Sequence, residues 1–186
     1  PTIWNRLEAV GLSTQEACGD CPRVILGSPV AGISADEIID ATSAIDAIES
    51  QFIGDREFSN LPRKFKTAIS GHPGHDVVQI NDVAFAGAVH PEHGPGLDLW
   101  VGGGLSTNPM LAQRLGVWVP LDEVPEVWKG VISIFRDYGY RRLRTRARLK
   151  FLIADWGVEK FREVLETEYL GRKLIDLEAP EAPETP

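Results

Sequence analysis

The chain has 186 residues, of which 43% are hydrophobic and 25% charged, as is ordinary for a globular protein with a substantial core. Its formal net charge of -8 argues against general nucleic-acid binding, and it has no apolar run long enough to cross a bilayer. The two cysteines, Cys18 and Cys21, are too few for a disulfide scaffold. They favour a reducing, cytoplasmic location.

In chain order, the pattern predicts three regions: an N-terminal linker or helix over residues 1–12, a domain over residues 13–175 and a tail over residues 176–186. The tail is acidic and rich in proline, so we expect it to be disordered. The chain starts at Pro1 without an initiating Met and ends in APEAPETP. We therefore expect a segment of a longer protein.

Apolar residues at helical spacing predict helices over residues 34–52, 120–138 and 158–170. Ser34 and Glu37 have the spacing of a capping box at the start of the first. Alternating or continuous apolar runs predict strands after Pro62, over residues 77–89 and over residues 97–101.

The segment SNLPRKFKTAISG carries two lysines two positions apart, Lys64 and Lys66. On a strand, such side chains share one face, about 7 Å apart. Two ammonium groups aimed at one spot repel, so their convergence in an acidic chain favours a bound anion. The alternative is a solvated edge strand that its lysines protect from aggregation. Composition alone leaves both interpretations open.

Cys18 and Cys21 form a C-x-x-C pair, which invites a metal or dithiol interpretation. A zinc site needs a second pair of ligands, and none of the four histidines is placed as an obvious partner. Two ordinary thiols are therefore favoured, and we predict no metal site. Arg23, next to the apolar run VIL, either lies along the surface or binds an anion.

Three glycines at residues 102–104 follow the predicted strand 97–101 and precede LSTNPMLAQRLG. They predict either a close backbone approach to a ligand, with the N–H groups of a following helix turned toward an anion, or a tight strand-to-helix turn. The pattern is not a nucleotide-binding fingerprint. Further on, RRLRTRARLKF is strongly basic. Arg148 is expected in the first turn of a helix, where the dipole disfavours a cation, so a negative group nearby would offset it. A solvated basic face is the alternative.

Taken together, the motifs EACGDCPR, LPRKFKTAISG, INDVAF, LWVGGGLSTNP and RARLKF resemble the sirohaem-containing sulfite/nitrite reductase family. The resemblance covers roughly residues 14–169. It implies an α+β fold with a mixed or antiparallel sheet packed with helices, as the first half of a duplicated core. That core holds a sirohaem coupled to a 4Fe-4S cluster, and ferredoxin is the implied electron donor.

The resemblance also implies roles for the basic residues, because sirohaem bears eight carboxylates and Arg forks suit carboxylates. It implies that Lys64 and Lys66 hold the iron-bound anion and supply protons, with Arg23 at the same anion-binding face. The residues implied to contact the cofactor are Arg63, Asn81, Gly103, Gly104, Leu105 and Arg148. Lys-x-Lys resembles sulfite reductases, whereas plant-type nitrite reductases tend to have Asn at the second position.

The chain lacks the four cysteines that hold the cluster in this family. We therefore expect this segment of an assimilatory sulfite reductase, which reduces sulfite to sulfide with six electrons, to be inactive alone. Its expected partners are a small anionic substrate, ferredoxin and the remaining half of the parent enzyme, with neither nucleic acid nor membrane. The alternatives are a nitrite reductase and a non-catalytic anion-binding or scaffold domain; a nucleotide binder is a distant third.

Overall fold

The computed structural model describes residues 2–73, 76–106 and 108–179, without the side chain of residue 76. The α-helices are α1 Thr2–Glu8, α2 Thr42–Phe52, α3 Val124–Tyr138 and α4 Leu149–Val164. The strands are β1 Pro22–Leu26, β2 Phe65–Ser70, β3 Val83–His90, β4 Gly94–Val101, β5 Gln113–Val119 and β6 Ile175–Asp176. Short 3-10 turns span Arg56–Phe58, Asp76–Ile80, Leu121–Glu123 and Arg144–Arg146, and a π-helical turn Leu165–Leu170 continues α4.

The strands of the described residues form one sheet in the order β1-β2-β3-β4-β5-β6. The pairs β1–β2 and β2–β3 are parallel, and the remaining pairs are antiparallel. Strands β1, β2 and β3 therefore run in the same direction, with their C-terminal ends at one edge of the sheet, whereas β3 and β4 form a hairpin. The predicted α+β fold with a mixed sheet is confirmed.

One face of the sheet packs against α2, α3 and α4 and forms the main core. Trp128 of α3 lies at its centre and is fully buried. Its ring stacks on Phe52, with ring centroids 5.4 Å apart, and meets Phe58 and Phe65 edge-on. The indole N–H donates to the hydroxyl of Thr67, 2.9 Å away. The core therefore holds β2 in place on the face that packs against α3, because Phe65 and Thr67 lie on that strand.

The predicted helix over residues 34–52 begins only at Thr42, so the expected capping box is wrong. The Glu37 carboxylate instead accepts the N–H of Gly32, 2.5 Å away, and the Ser34 hydroxyl donates to Asp36. The N-cap of α2 is Ala41, and Asp40, the residue before it, accepts the N–H of Thr42, 3.0 Å away. Side-chain bonds to the backbone have outcompeted the helix here.

The described residues after the glycines at residues 102–104 do not form the predicted helix. Gly104 pairs with Met110 in an isolated bridge, and the chain then enters β5. The interpretation that helix N–H groups face an anion there is therefore wrong. The predicted strand 77–89 is also shorter, because a 3-10 turn occupies Asp76–Ile80 before β3 starts at Val83.

Residues 176 and 177, the first two of the predicted tail, contact the sheet. Asp176 belongs to β6, and Leu177 is buried and donates its N–H to the carbonyl of Gly116, 3.0 Å away. The rest of the predicted tail, from residue 180, lies outside the described residues. Across the described ranges, no helix is both long and apolar enough to cross a membrane.

Candidate functional site: a cationic cluster organised by Asp82

Two parallel strands bring the predicted substrate cations together. Pro22 of β1 lies opposite Phe65 of β2, and the N–H of Phe65 donates to the carbonyl of Cys21, 3.1 Å away. Arg23 follows this point on β1, and Lys64 and Lys66 flank it on the other segment. The predicted strand after Pro62 begins at Phe65, so Lys64 precedes β2 and Lys66 lies on it.

Lys64 lies among like charges. The pKa of its ammonium is lowered, first by partial burial and then by the charges of Arg148, Lys66, Arg23 and Arg63. Lys64 is half-buried, and Lys66 is exposed. Five cations thus act on one place in a chain of net charge -8, which is the electrostatic condition for binding an anion.

Asp82 organises this cationic cluster from inside the protein. It lies just before β3 and is fully buried. Its carboxylate binds the Arg148 guanidinium twice, at 3.0 Å from Nε and 2.7 Å from Nη2, and it accepts the backbone N–H of Lys66 at 2.8 Å. Burial raises the pKa of Asp82, and the Arg148 charge opposes that shift. One carboxylate therefore joins the strand of Lys66 to the start of α4.

Sequence reasoning did not select Asp82, although two signals point to it. Asp82 is an acid at the start of the apolar run in INDVAF. The predicted position of Arg148 at the start of a helix also indicated a negative group nearby. The structure places Arg148 at the N-cap of α4, with its side chain only 11% exposed, and Asp82 is that neighbour.

The other two predicted arginines have part of their guanidinium groups committed to carbonyls. Arg23 donates to Ala17 and, at 3.0 Å, to Gly19, so it closes the turn before β1. Arg63 donates to Arg144, 2.9 Å away. Because a guanidinium carries five N–H donors, each keeps donors beyond these bonds.

The glycine segment packs on the turn that precedes β3. Gly103 donates its N–H to the carbonyl of Asn81 at 2.8 Å, and a Cβ there would lie 2.4 Å from the carbonyl oxygen of Gln79. Only glycine fits that approach. Asn81 is itself buried and donates its side-chain amide to Val77, 2.5 Å away. Asn81 and Gly103, both predicted to contact the cofactor, are therefore buried within this chain.

Gly104 and Leu105 lie closer to the cations. A Cβ on Gly104 would lie 3.4 Å from Nη2 of Arg148. Leu105 follows with 54% of its surface exposed. A bare apolar side chain beside a cationic cluster is suited to the flat face of an aromatic ring system, which is the chemistry of a tetrapyrrole. The residues present thus fit a carboxylate-bearing macrocycle.

The residues of this chain do not fit an iron–sulfur cluster, because such a cluster takes four thiolates and the chain has two cysteines. Cys18 and Cys21 are free thiols, and burial raises the pKa of Cys21, whose Sγ donates to the carbonyl of Cys18 at 3.5 Å. Within the described ranges, no three His, Cys, Asp or Glu residues are grouped as a metal site.

The crowding of cations around Lys64 makes a measurable prediction. Replacing Lys66 with glutamine removes one neighbouring charge, so the pKa of Lys64 should rise. Side-chain NMR titration of the lysine Cε and Nζ signals measures it, and Lys160→Gln, on the exposed side of α4, is the control. A Lys64 pKa that stays unchanged in Lys66→Gln would contradict the placement of the two ammonium groups at one site.

Comparison with known families identifies the domain type. A family model described as the nitrite and sulphite reductase 4Fe-4S domain matches residues 18–174. The chain is 71% identical over 182 residues to a sulfite reductase (ferredoxin) of Mycobacterium tuberculosis strain H37Rv, covering 97% of this chain and 32% of that protein. It is 39% identical over 180 residues to an assimilatory ferredoxin-dependent nitrite reductase of Haloferax mediterranei, covering 94% of this chain and 31% of that protein.

Solved structures agree with this result. The M. tuberculosis NirA protein superposes with a TM-score of 0.93 at 69% identity, covering 100% of this chain and 34% of that one. A dissimilatory sulfite reductase I shares the fold, with a TM-score of 0.68 at 13% identity, covering 99% of this chain and 60% of that one. The chain spans about a third of the length of the curated relatives that it matches.

Proposed function

The chain belongs to the nitrite and sulphite reductase 4Fe-4S domain family, and we propose that it supplies the anion-binding residues of a ferredoxin-dependent sulfite reductase. The observation that carries this proposal is the pairing of the strands that carry Arg23 and Lys66, together with the bonds of Asp82 to Arg148 and to the N–H of Lys66. Sulfite is a small anion, and its reduction to sulfide takes up six electrons while three oxygen atoms leave as water.

We assign Lys64 and Lys66 to the substrate. Their Nζ atoms would hold the sulfite oxygens and donate the protons with which each oxygen leaves as water. The lowered pKa of Lys64 favours this role, because a more acidic ammonium transfers its proton more readily. Arg23, on the neighbouring strand, would bind the same anion through the donors that it does not commit to its own turn.

We assign Arg63 and Arg148 to the carboxylates of the sirohaem. When bound, sirohaem supplies the iron and the redox chemistry. Asp82 orients Arg148 through Nε and Nη2 and does not use its Nη1, which would donate to a sirohaem carboxylate. Gly104 and Leu105 would line the macrocycle, and Gly103 and Asn81 would support that surface from behind.

The whole enzyme needs more than this chain. Two cysteines cannot hold a 4Fe-4S cluster, so we propose that its ligands lie in the remaining half of the parent protein. We expect this chain alone to be inactive. Ferredoxin is the electron donor that we propose, and two free thiols support a reducing, cytoplasmic location.

We propose sulfite rather than nitrite as the substrate, because the chain is 71% identical to a sulfite reductase and 39% and 40% identical to two nitrite reductases. Lys66 is the residue on which this preference depends. Nitrite reduction remains the alternative, since both anions are small and bear oxygens that leave as water.

The test is Lys66→Asn in the complete protein, with sulfite and nitrite turnover measured with reduced ferredoxin. We expect kcat/KM for sulfite to fall about 100-fold or more, because one charged donor to the reacting anion is lost. Nitrite turnover should survive. Lys160→Asn is the matched control, as an exposed lysine that lies on α4 outside the cluster. If Lys66→Asn leaves both activities unchanged, the assignment of the anion site is wrong.

A further inference from the structure

A buried cation, Lys150, lies in the first turn of α4 and has none of the roles assigned above. It is 4% exposed. Its Nζ donates to three backbone carbonyls, those of Gly104 and Leu105 at 3.2 Å and that of Asn108 at 2.5 Å. An ammonium has three N–H donors, so this set uses all of them.

The carbonyls bound by Lys150 belong to the turn that carries Leu105. Gly104 and Met110 exchange two backbone hydrogen bonds, at 2.8 and 3.1 Å. Ser106 has a φ of 94°, which is strained for a residue with a side chain. Such a backbone conformation persists only where its surroundings hold it, and three bonds to one buried ammonium provide that restraint.

The turn and the cationic cluster are mechanically connected. A Cβ on Gly104 would lie 3.5 Å from Cδ of Lys150 and 3.4 Å from Nη2 of Arg148. Arg148 is bound by Asp82, which also holds the N–H of Lys66. The position of the turn relative to Lys66 therefore depends on contacts at the start of α4.

The direction of the carbonyls matters for an anion. A carbonyl oxygen carries partial negative charge, and three of them aimed at a carboxylate-bearing ligand would repel it. Bound to Lys150, these oxygens are turned into the protein and their charge is compensated. The side of the turn left facing outward carries the exposed Leu105 instead.

We propose that Lys150 is a positioning residue: it holds the carbonyls of Gly104, Leu105 and Asn108 away from the cationic cluster, so that the turn presents an apolar wall to an anionic macrocycle. This inference rests on the proposed function for the identity of the ligand. The position of the turn itself is a property of this chain and is measured without a ligand.

The experiment uses the complete protein with Lys150→Met, which keeps an apolar stem of similar length and removes the three donors. In the cofactor-free protein, hydrogen exchange of the peptide covering residues 102–112 should become about tenfold faster or more, because the local restraint is lost. A peptide from α3 should be unchanged. In the holoprotein, bound sirohaem, read from its absorbance, should fall, and the KM for sulfite should rise more than kcat falls.

Lys160→Met is the control and should behave as wild type in every readout. Unchanged hydrogen exchange at residues 102–112 would contradict the restraint of this turn by Lys150. Faster exchange with unchanged sirohaem content and unchanged KM would contradict the role of Lys150 toward the macrocycle. If Lys150→Met does not fold, Lys150→Gln, which keeps a side-chain amide donor, should show a smaller acceleration; wild-type exchange in that variant would overturn the proposal. Absence of sirohaem and turnover in the wild-type protein would instead overturn the proposed function. The hydrogen-exchange result would still test whether Lys150 restrains the turn.

Discussion

Replacing Asp82 with asparagine should lower the free energy of unfolding by about 3–5 kcal/mol, the cost of breaking a buried ion pair by removing one partner. Asp82 is fully buried and the Arg148 side chain is 11% exposed, so water cannot take over the lost bonds. Asparagine retains one oxygen acceptor but leaves the guanidinium without its counter-charge. The same change should lower anion affinity, because one carboxylate no longer holds both the N–H of Lys66 and the guanidinium of Arg148.

Urea denaturation of the chain and of each variant measures this effect. Asp46→Asn, on the exposed side of α2, is the matched control and should change stability by no more than about 0.5 kcal/mol. In the double variant Asp82→Asn/Arg148→Gln, the loss should be smaller than the sum of the two single losses, since both remove one interaction. Strict additivity would contradict the pairing of these two residues.

Replacing Trp128 with alanine should cost about 3–5 kcal/mol, because it opens a cavity in the centre of the core. Trp128 is fully buried against Phe52, Phe58 and Phe65. The effect should extend to the cationic cluster, because Phe65 lies between Lys64 and Lys66. We expect the pKa of Lys64 to move toward its ordinary value as β2 loosens.

Thermal and urea denaturation give the stability change, and the lysine NMR titration described above gives the effect on Lys64. Trp4→Ala is the control, since Trp4 is 57% exposed on α1 and should contribute little. Trp128→Phe separates the hydrogen bond to Thr67 from the packing and should cost less than Trp128→Ala. Equal losses in Trp128→Ala and Trp4→Ala would contradict the central position of Trp128.

Helix α3 shows what the sequence predicts well. Val127, Val131, Ile134 and Phe135 recur at helical spacing, and the helix forms over Val124–Tyr138 with all four buried. The prediction succeeds because burial of one continuous face both creates the pattern and supplies most of the stability of the helix. The predicted helix over residues 158–170 is confirmed for the same reason, as the end of α4 and its π-helical continuation.

Predictions fail where a distant partner competes with the local preference. Residues 34–41 have helical spacing, but the N–H of Ile38 donates to the carbonyl of Gly71, 2.9 Å away, which a regular helix does not allow. Strand β5 escaped prediction although Leu115, Val117 and Val119 alternate and are buried. The preceding glycines suggested a turn into a helix, and only pairing with β4 makes this segment a strand.

The sequence by itself determined the composition of the site: the spacing of Lys64 and Lys66, and a cation at Arg148 that needs a negative neighbour. These follow from local rules, the two-residue repeat of a strand and the dipole of a helix. Only the tertiary structure decided that Asp82, 66 residues from Arg148, is that neighbour, and that Lys150 binds carbonyls 42 to 46 residues away. Such contacts depend on which segments the folded core brings together, and no local spacing encodes that.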